Sequence, residues 1–142
     1  MNRMNTSTTI LVGMHDRRID ARGRVRMPLE WRARYADAHR RVVVLARCEG
    51  TYLKLLPADV WAALEGASAE PSDMARHIID NTCTVALDTR GSFHIPRAFR
   101  EVFAGESHLV YVGCLEHGEL WARTAWRRYQ DHRRTVFHEL NL

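Results

Sequence analysis

Ile19-Asp20-Ala21-Arg22-Gly23-Arg24-Val25-Arg26-Met27-Pro28 returns 68 residues later as Leu87-Asp88-Thr89-Arg90-Gly91-Ser92-Phe93-His94-Ile95-Pro96. Asp, Arg, Gly and Pro coincide, and the apolar positions agree: Ile19 with Leu87, Val25 with Phe93, Met27 with Ile95. The correspondence runs on through Trp31 and Phe99, Arg32 and Arg100, Tyr35 and Phe103. Agreement of motif, spacing and apolar pattern together identifies an internal duplication.

Each copy carries the same local instructions. An apolar run enters, as Thr84-Val85-Ala86-Leu87 does in the second copy, and Asp-x-Arg-Gly then turns the chain. Asp20 and Asp88 can accept hydrogen bonds from backbone amides just ahead of them, and Gly23 and Gly91 can take positive φ without a Cβ clash. These four residues are read as structuring the turns. Alternation follows, with Val25 and Met27 on a dry face and Arg24 and Arg26 on a basic one. Pro28 and Pro96 suit the first turn of a helix. Met27, Trp31 and Tyr35, like Ile95, Phe99 and Phe103, recur every fourth residue as an apolar helical stripe.

Downstream, Val42-Val43-Val44-Leu45 matches Leu109-Val110-Tyr111-Val112, and Tyr52 to Leu56 matches Glu119-Leu120-Trp121, each pair separated by a turn. Asp59 and Thr124 are placed to cap the helices that follow. The unit is therefore strand-turn-strand-helix-strand-turn-strand-helix, written twice. Glu65 to Ser72 reads as a linker, Asp73 to about Asn81 as a short helix, and Trp126, Tyr129, Val136, Phe137 and Leu140 as the apolar face of a terminal helix. The division is an extension over 1–13, a first repeat over 14–64, linker and helix over 65–82, a second repeat over 83–124 and a helix over 125–142. A unit this small exposes sheet edges and one apolar face on its own. The expected fold is α+β and β-rich. Two pseudo-twofold-related β-β-α-β-β units interlock their hairpins in one barrel-like core, with peripheral helices.

Composition narrows the function. With 142 residues, 46% apolar, the chain can bury a core, and no apolar run approaches the ~20 residues of a membrane span. A cytoplasmic protein without a membrane partner is expected. Cys48, Cys83 and Cys114 lack Cys-x-x-Cys spacing, and the eight histidines (His15, His39, His77, His94, His108, His117, His132, His138) show no metal-ligand pattern. The cysteines read as small buried hydrophobes, and neither metal nor cofactor is expected. Asp20 and Asp88 lack an accompanying nucleophile or base, and no phosphate-binding loop or nucleophile elbow is present. Catalysis and a small-molecule substrate are therefore not expected.

Charge points elsewhere. Lys54 is the only lysine among 21 basic residues. Residues 1–66 hold 12 basic against 7 acidic residues, a net of +5, whereas 67–142 hold 9 against 10, a net of −1. Such asymmetry marks an anionic partner, nucleic acid foremost. Arg17, Arg18, Arg22, Arg24 and Arg26 surround the first turn, and Arg90 and His94 hold related places in the second copy. Arg22, Arg24 and Arg26 on one extended strand would be spaced about 6–7 Å apart, close to successive phosphates. Arginine clamps phosphate or guanine through two N–H groups at once. His94 is the candidate for a pH-dependent contact. The competing reading is a solvated basic face paired locally with Asp16 and Asp20. Trp31, Tyr35, Trp61, Trp121 and Trp126 fit core or subunit-interface positions better than base-stacking ones.

Asp-x-x-Gly-Arg, alternation, proline and an aromatic helix resemble the swapped-hairpin half-barrels of AbrB-type DNA-binding proteins. The tandem pair, with Gly113, Glu119-Leu120-Trp121 and Trp126 near the end, resembles the MraZ family over roughly Met14 to Tyr129. The resemblance implies a swapped-hairpin, double-psi-like barrel and a nucleoid-associated transcriptional repressor of the division and cell-wall gene cluster. It also implies a ring-shaped homo-oligomer on repeated boxes of double-stranded DNA. The family's Asp-x-x-x-Arg signature is matched by Asp20 and Arg24, with Asp20 orienting the turn and pairing with Arg24. In the second copy Ser92 stands where that arginine belongs, and His94 where the first copy has Arg26. The alternative is an antitoxin-like or scaffold module that uses the same barrel to hold a protein.

Overall fold

Turn chemistry and alternation together produce an antiparallel architecture in which the two copies share one interior. The computed structural model describes residues 10–67, 76 and 80–139. Most of the expected helix between Asp73 and Asn81 lies outside the described residues, as do most of the N-terminal extension and Leu140. Strand β1 (Met14–Arg18) enters the first turn and β2 (Arg24–Arg26) leaves it. A 3-10 turn (Leu29–Trp31) then runs into α1 (Arg32–Tyr35), followed by β3 (Val42–Cys48), β4 (Tyr52–Leu56) and α2 (Ala58–Ala67). The second copy repeats the order as β5 (Thr82–Ala86), β6 (Ser92–His94), α3 (Arg97–Arg100) with a 3-10 turn (Glu101–Phe103), β7 (His108–Gly113), β8 (Gly118–Ala122) and α4 (Arg123–Glu139). The fold is α+β and rich in strands.

Six strands form one antiparallel sheet in the order β1-β7-β8-β4-β3-β5, and β2 and β6 form a separate two-stranded ribbon. The edge strands β1 and β5 each turn directly into one strand of the ribbon. Both copies therefore contribute one strand to it, with Arg24 opposite His94, Val25 opposite Phe93 and Arg26 opposite Ser92. Val25 and Phe93 are equivalent under the repeat, so the local pseudo-twofold passes between them.

The ribbon is dry on one side. Val25 and Phe93 are 2% and 0% exposed and belong to the same core as Met27, Ile95, Trp31 and Tyr35. Val43, Leu45, Leu53, Leu55, Leu109 and Leu120 enter that core from the sheet. Burying side chains of this size stabilises by about 1.5–3 kcal/mol each. Both fourth-residue stripes are thus core, as their spacing predicts. The tyrosine of the first stripe also satisfies its polar end, donating its hydroxyl proton to the Leu55 carbonyl at 2.6 Å.

Several local expectations are corrected. Pro28 and Pro96 precede their helices with extended backbone (ψ 139° and 150°), because proline's fixed φ serves an extended residue equally well. Asp59 lies inside the first turn of α2, and its carboxylate takes the Arg34 guanidinium at 2.8 Å. At α4 the Thr124 amide donates to the Glu106 carboxylate at 3.2 Å, so an oxygen from another segment does the capping. Among the described side chains of the proposed α4 stripe, Trp126 is buried whereas Tyr129 and Val136 are exposed. A small outer cluster of Val110, Trp121 and Trp126, with Tyr52 stacked on Trp121 at 4.4 Å, holds the start of the helix to β7 and β8. The three cysteines are half-buried free thiols.

The two copies also lock each other's turns. Ile95 N–H donates to the Gly23 carbonyl at 2.8 Å, and Met27 N–H to the Gly91 carbonyl at 2.7 Å. Both glycines have positive φ, +88° and +81°. A Cβ on Gly23 would strike the guanidinium of Arg100, and one on Gly91 would strike Arg32 along its Cδ and Nε. The Arg32 Nε–H is itself held by the Met27 carbonyl at 3.1 Å. Gly91→Ala is therefore expected to cost about 2–3 kcal/mol from backbone strain and overpacking combined. Gly50→Ala, at φ +64° with nothing within 4 Å, should cost only about 1 kcal/mol. Urea unfolding of both variants measures the difference; equal losses would mean that the turn–arginine contact contributes nothing.

Candidate nucleic-acid interface

The turns are built from backbone amides and one carboxylate each. Asp20 Oδ1 accepts from the amides of Arg22 and Arg24, both at 2.9 Å, while Gly23 N–H closes the turn on the Asp20 carbonyl at 3.0 Å. In the second copy Asp88 Oδ1 accepts from Arg90 at 2.9 Å and Ser92 at 2.8 Å, and Gly91 N–H returns to the Asp88 carbonyl at 3.0 Å. Asp20 N–H also bonds the Arg24 carbonyl at 3.0 Å and Asp88 N–H the Ser92 carbonyl at 2.8 Å, so each turn closes over three residues with a left-handed glycine at its end. Both carboxyls sit below the ordinary carboxylate value. The largest cause is the far amide, from Arg24 for Asp20 and from Ser92 for Asp88, working against a smaller desolvation penalty.

The arrangement of the arginines differs from the sequence reading in an instructive way. Arg22 lies in the turn, so the strand face carries Arg24 and Arg26 alone. The Arg24 guanidinium does not pair with Asp20. It crosses to the other copy and bonds Asp88 Oδ2 at 2.6 Å, with both side chains about two-fifths exposed. Arg26 Nε–H reaches the Arg90 carbonyl at 3.3 Å. Both contacts run from β2 to the second turn. The mirror-image contact, from position 92 to Asp20, is lacking because Ser92 has no guanidinium. The double substitution at Ser92 and His94 thus leaves the ribbon asymmetric.

Arg24, Arg26 and His94 share the outer, exposed face of the ribbon, and Arg22 and Arg90 are exposed in the two turns. Arg18 is exposed on β1, where its guanidinium meets His108 Nε2 at 2.8 Å. Its neighbour Arg17 projects to the opposite face, half-buried, and donates to the Asp16 carbonyl at 2.7 Å. Five of the seven residues are therefore gathered on the ribbon and its turns, and Arg17 and Arg18 are split across the adjoining edge strand. An ion pair as exposed as Arg24–Asp88 contributes little to stability, because water screens it. It leaves a guanidinium able to exchange one oxyanion for another.

The sequence reading missed a second gathering of reactive groups. The turn between β7 and β8 brings Cys114, His117 and Glu119 together, with one ligating atom from each inside 4.8 Å of the others. The signal was the Cys-x-x-His spacing across a turn, hidden because the third member is a carboxylate on the following strand. Among the described residues no helix is long and apolar enough to cross a membrane.

Asp88 offers a pH test of the ribbon. Its folded-state value is lowered, so its contribution to stability is complete above the ordinary carboxyl value of 3.8 and vanishes as pH falls through the folded one. Asp88→Asn keeps an oxygen for the two amides and loses the charge that faces Arg24. The variant should be less stable than the parent near neutrality and should show a shallower fall in melting temperature from about pH 5 to about pH 2. Parallel acid profiles would place the acid-sensitive carboxylate elsewhere.

Comparison with known proteins gives the same family from independent starting points. Residues 78–140 match a family model described as "MraZ protein, putative antitoxin-like". A protein of Saccharophagus degradans called transcriptional regulator MraZ is 30% identical over 122 residues, which is 80% of this chain and 83% of its own. Proteins of the same designation from Shewanella loihica and a Nocardioides species are each 27% identical, over 118 and 137 residues. These alignments cover 78% and 92% of this chain and the same shares of the relatives. The duplicated Asp-x-x-Gly turns, the ribbon shared by both copies and these relatives, aligned over most of their length, place the chain in the MraZ family.

Proposed function

We propose that this chain is a DNA-binding transcriptional regulator that applies the outer face of the β2–β6 ribbon and its two turns to duplex DNA. The observation that carries the reading is the gathering of Arg22, Arg24, Arg26, Arg90 and His94 on one exposed, two-stranded element whose inner face is locked in the core. Its strands lie about 4.8 Å apart, and a major groove about 12 Å wide admits such a ribbon edge-on or flat. A rigid inner face fixes the outer side chains in advance, so little ordering is needed on binding. Arg24 can leave Asp88 for a phosphate, or reach guanine through two N–H groups. Arg17 and Arg18 supply positive potential from the adjoining strand. The ribbon's mutual hydrogen bonds, each turn bonded to the other copy's strand, support the swapped-hairpin, double-psi-like description of the barrel.

The same reading makes the first copy the principal contact, because its half of the chain holds the net positive charge and Ser92 shortens the second copy's reach. It also makes the working unit a homo-oligomer, of ring form by family resemblance. Weak contacts from several subunits then add on repeated promoter boxes. The edge strand β1, which exposes Met14, supports self-association, as do the exposed Val12 and Leu115 beside it. The proposed targets are promoter repeats of a division and cell-wall gene cluster, repressed from a cytoplasmic, nucleoid-associated pool. The antitoxin-like wording of the matched family favours a second reading, a protein partner seated on the same ribbon.

Fluorescence anisotropy with the upstream region of the chain's own operon, against a scrambled duplex at two salt concentrations, separates the two. The regulator should prefer the native sequence, and each phosphate contact should add about 0.9 to the slope of log affinity against log salt. Arg24→Ala should weaken specific binding about tenfold or more without loss of fold. Equal, weak binding to both duplexes, indifferent to Arg24→Ala, would overturn the DNA reading and leave the protein partner.

A further inference from the structure

The turn between β7 and β8 is held more firmly than its surface position requires. Cys114 N–H bonds the His117 carbonyl at 2.9 Å, and Leu11 and Leu115 exchange both backbone hydrogen bonds, at 2.8 and 2.9 Å. Leu115 is kept at a φ of 71°, in the left-handed region. Gly118 cannot carry a Cβ, because one would collide with the ring of the buried Trp31. The backbone that bears Cys114, His117 and Glu119 is thus fixed from both sides.

Into that frame the three side chains converge. All are half-buried, and their ligating atoms lie within 4.8 Å of one another. His117 Nε2 is enclosed without a hydrogen-bond partner and stands 3.9 Å from Glu119 Oε2. The other oxygen, Glu119 Oε1, accepts the indole N–H of Trp121 at 2.9 Å, which turns the carboxylate so that Oε2 faces the imidazole. An ionised thiol beside that carboxylate would be two anions in a partly dry corner, a combination that a dication neutralises. Lys54, opposite Glu119 in the β4–β8 pairing, offers a single positive charge and no ligating function while protonated.

We propose that Cys114, His117 and Glu119 form a three-ligand site for a thiophilic divalent cation of the Zn2+ type. Thiolate, imidazole and carboxylate are the donors such ions select, whereas Mg2+ and Ca2+ prefer oxygen alone. Metal–ligand bonds of about 2.0–2.3 Å require the donor atoms of a tetrahedral site to sit about 3.3–3.8 Å apart, so small rotamer adjustments close the present spacing. Binding balances as one thiol proton released, with thiolate and carboxylate together offsetting the two positive charges. Three protein ligands leave a fourth position for water or for a donor from a second subunit. The Trp121 indole acts as the outer partner that orients the carboxylate ligand. The site belongs to the second copy alone, since the first copy's matching turn is Glu49-Gly50.

Cobalt(II) is the test probe, because its thiolate complexes absorb in the near ultraviolet and its tetrahedral complexes absorb strongly in the visible. The full chain titrated with Co2+ should develop both signatures at one ion per chain, and Zn2+ should displace them. Cys114→Ser should abolish the thiolate band. His117→Gln and Glu119→Gln should each weaken binding at least tenfold, while Cys48→Ser and Cys83→Ser leave it unchanged. Circular dichroism of each variant establishes that the fold is retained, and His117→Gln decides the matter if Cys114→Ser does not fold. No thiolate band at millimolar Co2+, or a band that survives Cys114→Ser or is indifferent to His117→Gln, would overturn the site.

Discussion

Everything distinctive in this molecule rests on the pairing of Val25 with Phe93. It is a contact between equivalent residues of two copies, made at the centre of a ribbon only three residues long on each strand. Neither strand has a regular ladder partner other than the other one, and neither inner side chain is covered until the shared core closes over it. Once the pair is formed, the geometry around it is dictated. The alternate residues Arg24, Arg26 and His94 must face solvent, and the two aspartate turns must sit at opposite ends. The edge strands β1 and β5 must also approach from opposite sides. The apolar centre and the charged exterior are therefore one constraint seen from two faces.

Much of this was legible in the chain. The duplication was visible because turn chemistry tolerates few substitutes: an aspartate to gather amides, a glycine to take positive φ. The core was visible because Met27, Trp31 and Tyr35, with their second-copy equivalents, keep helical spacing. What the sequence concealed depends on which residues meet across the repeat. Arg24 lies four residues from Asp20 and 64 from Asp88, yet it pairs with the distant carboxylate, since interlocking brings the second turn alongside the first copy's strand. Helix starts were misjudged for a similar reason. The Arg34 guanidinium occupies Asp59, and Glu106 displaces Thr124 as the oxygen at the head of α4.

The grouping of Cys114, His117 and Glu119 was hidden by period rather than by distance. Cys114 opens the tight turn, His117 closes it and Glu119 lies on β8, so no single spacing rule spans them. Its separation from the arginine ribbon matters for how the two regions are related. Gly118, between two of the three residues, packs on Trp31, and Trp31 opens the helix that directly follows β2. The turn and the ribbon thus share a wall of the core.

The reciprocity of the ribbon has a further bearing on how the protein is made. During synthesis β2 emerges from the ribosome 68 residues ahead of the strand that must pair with it. Until then Val25 has no cross-strand partner, and the Gly23 carbonyl has no amide to receive. The first copy cannot complete itself while the second is still being translated, however good its own turn and helix signals. Closing the ribbon therefore requires one long loop closure rather than local order alone. In that interval a second nascent chain offers the same complementary strand, so the device that joins two halves of one molecule is equally able to join halves of two.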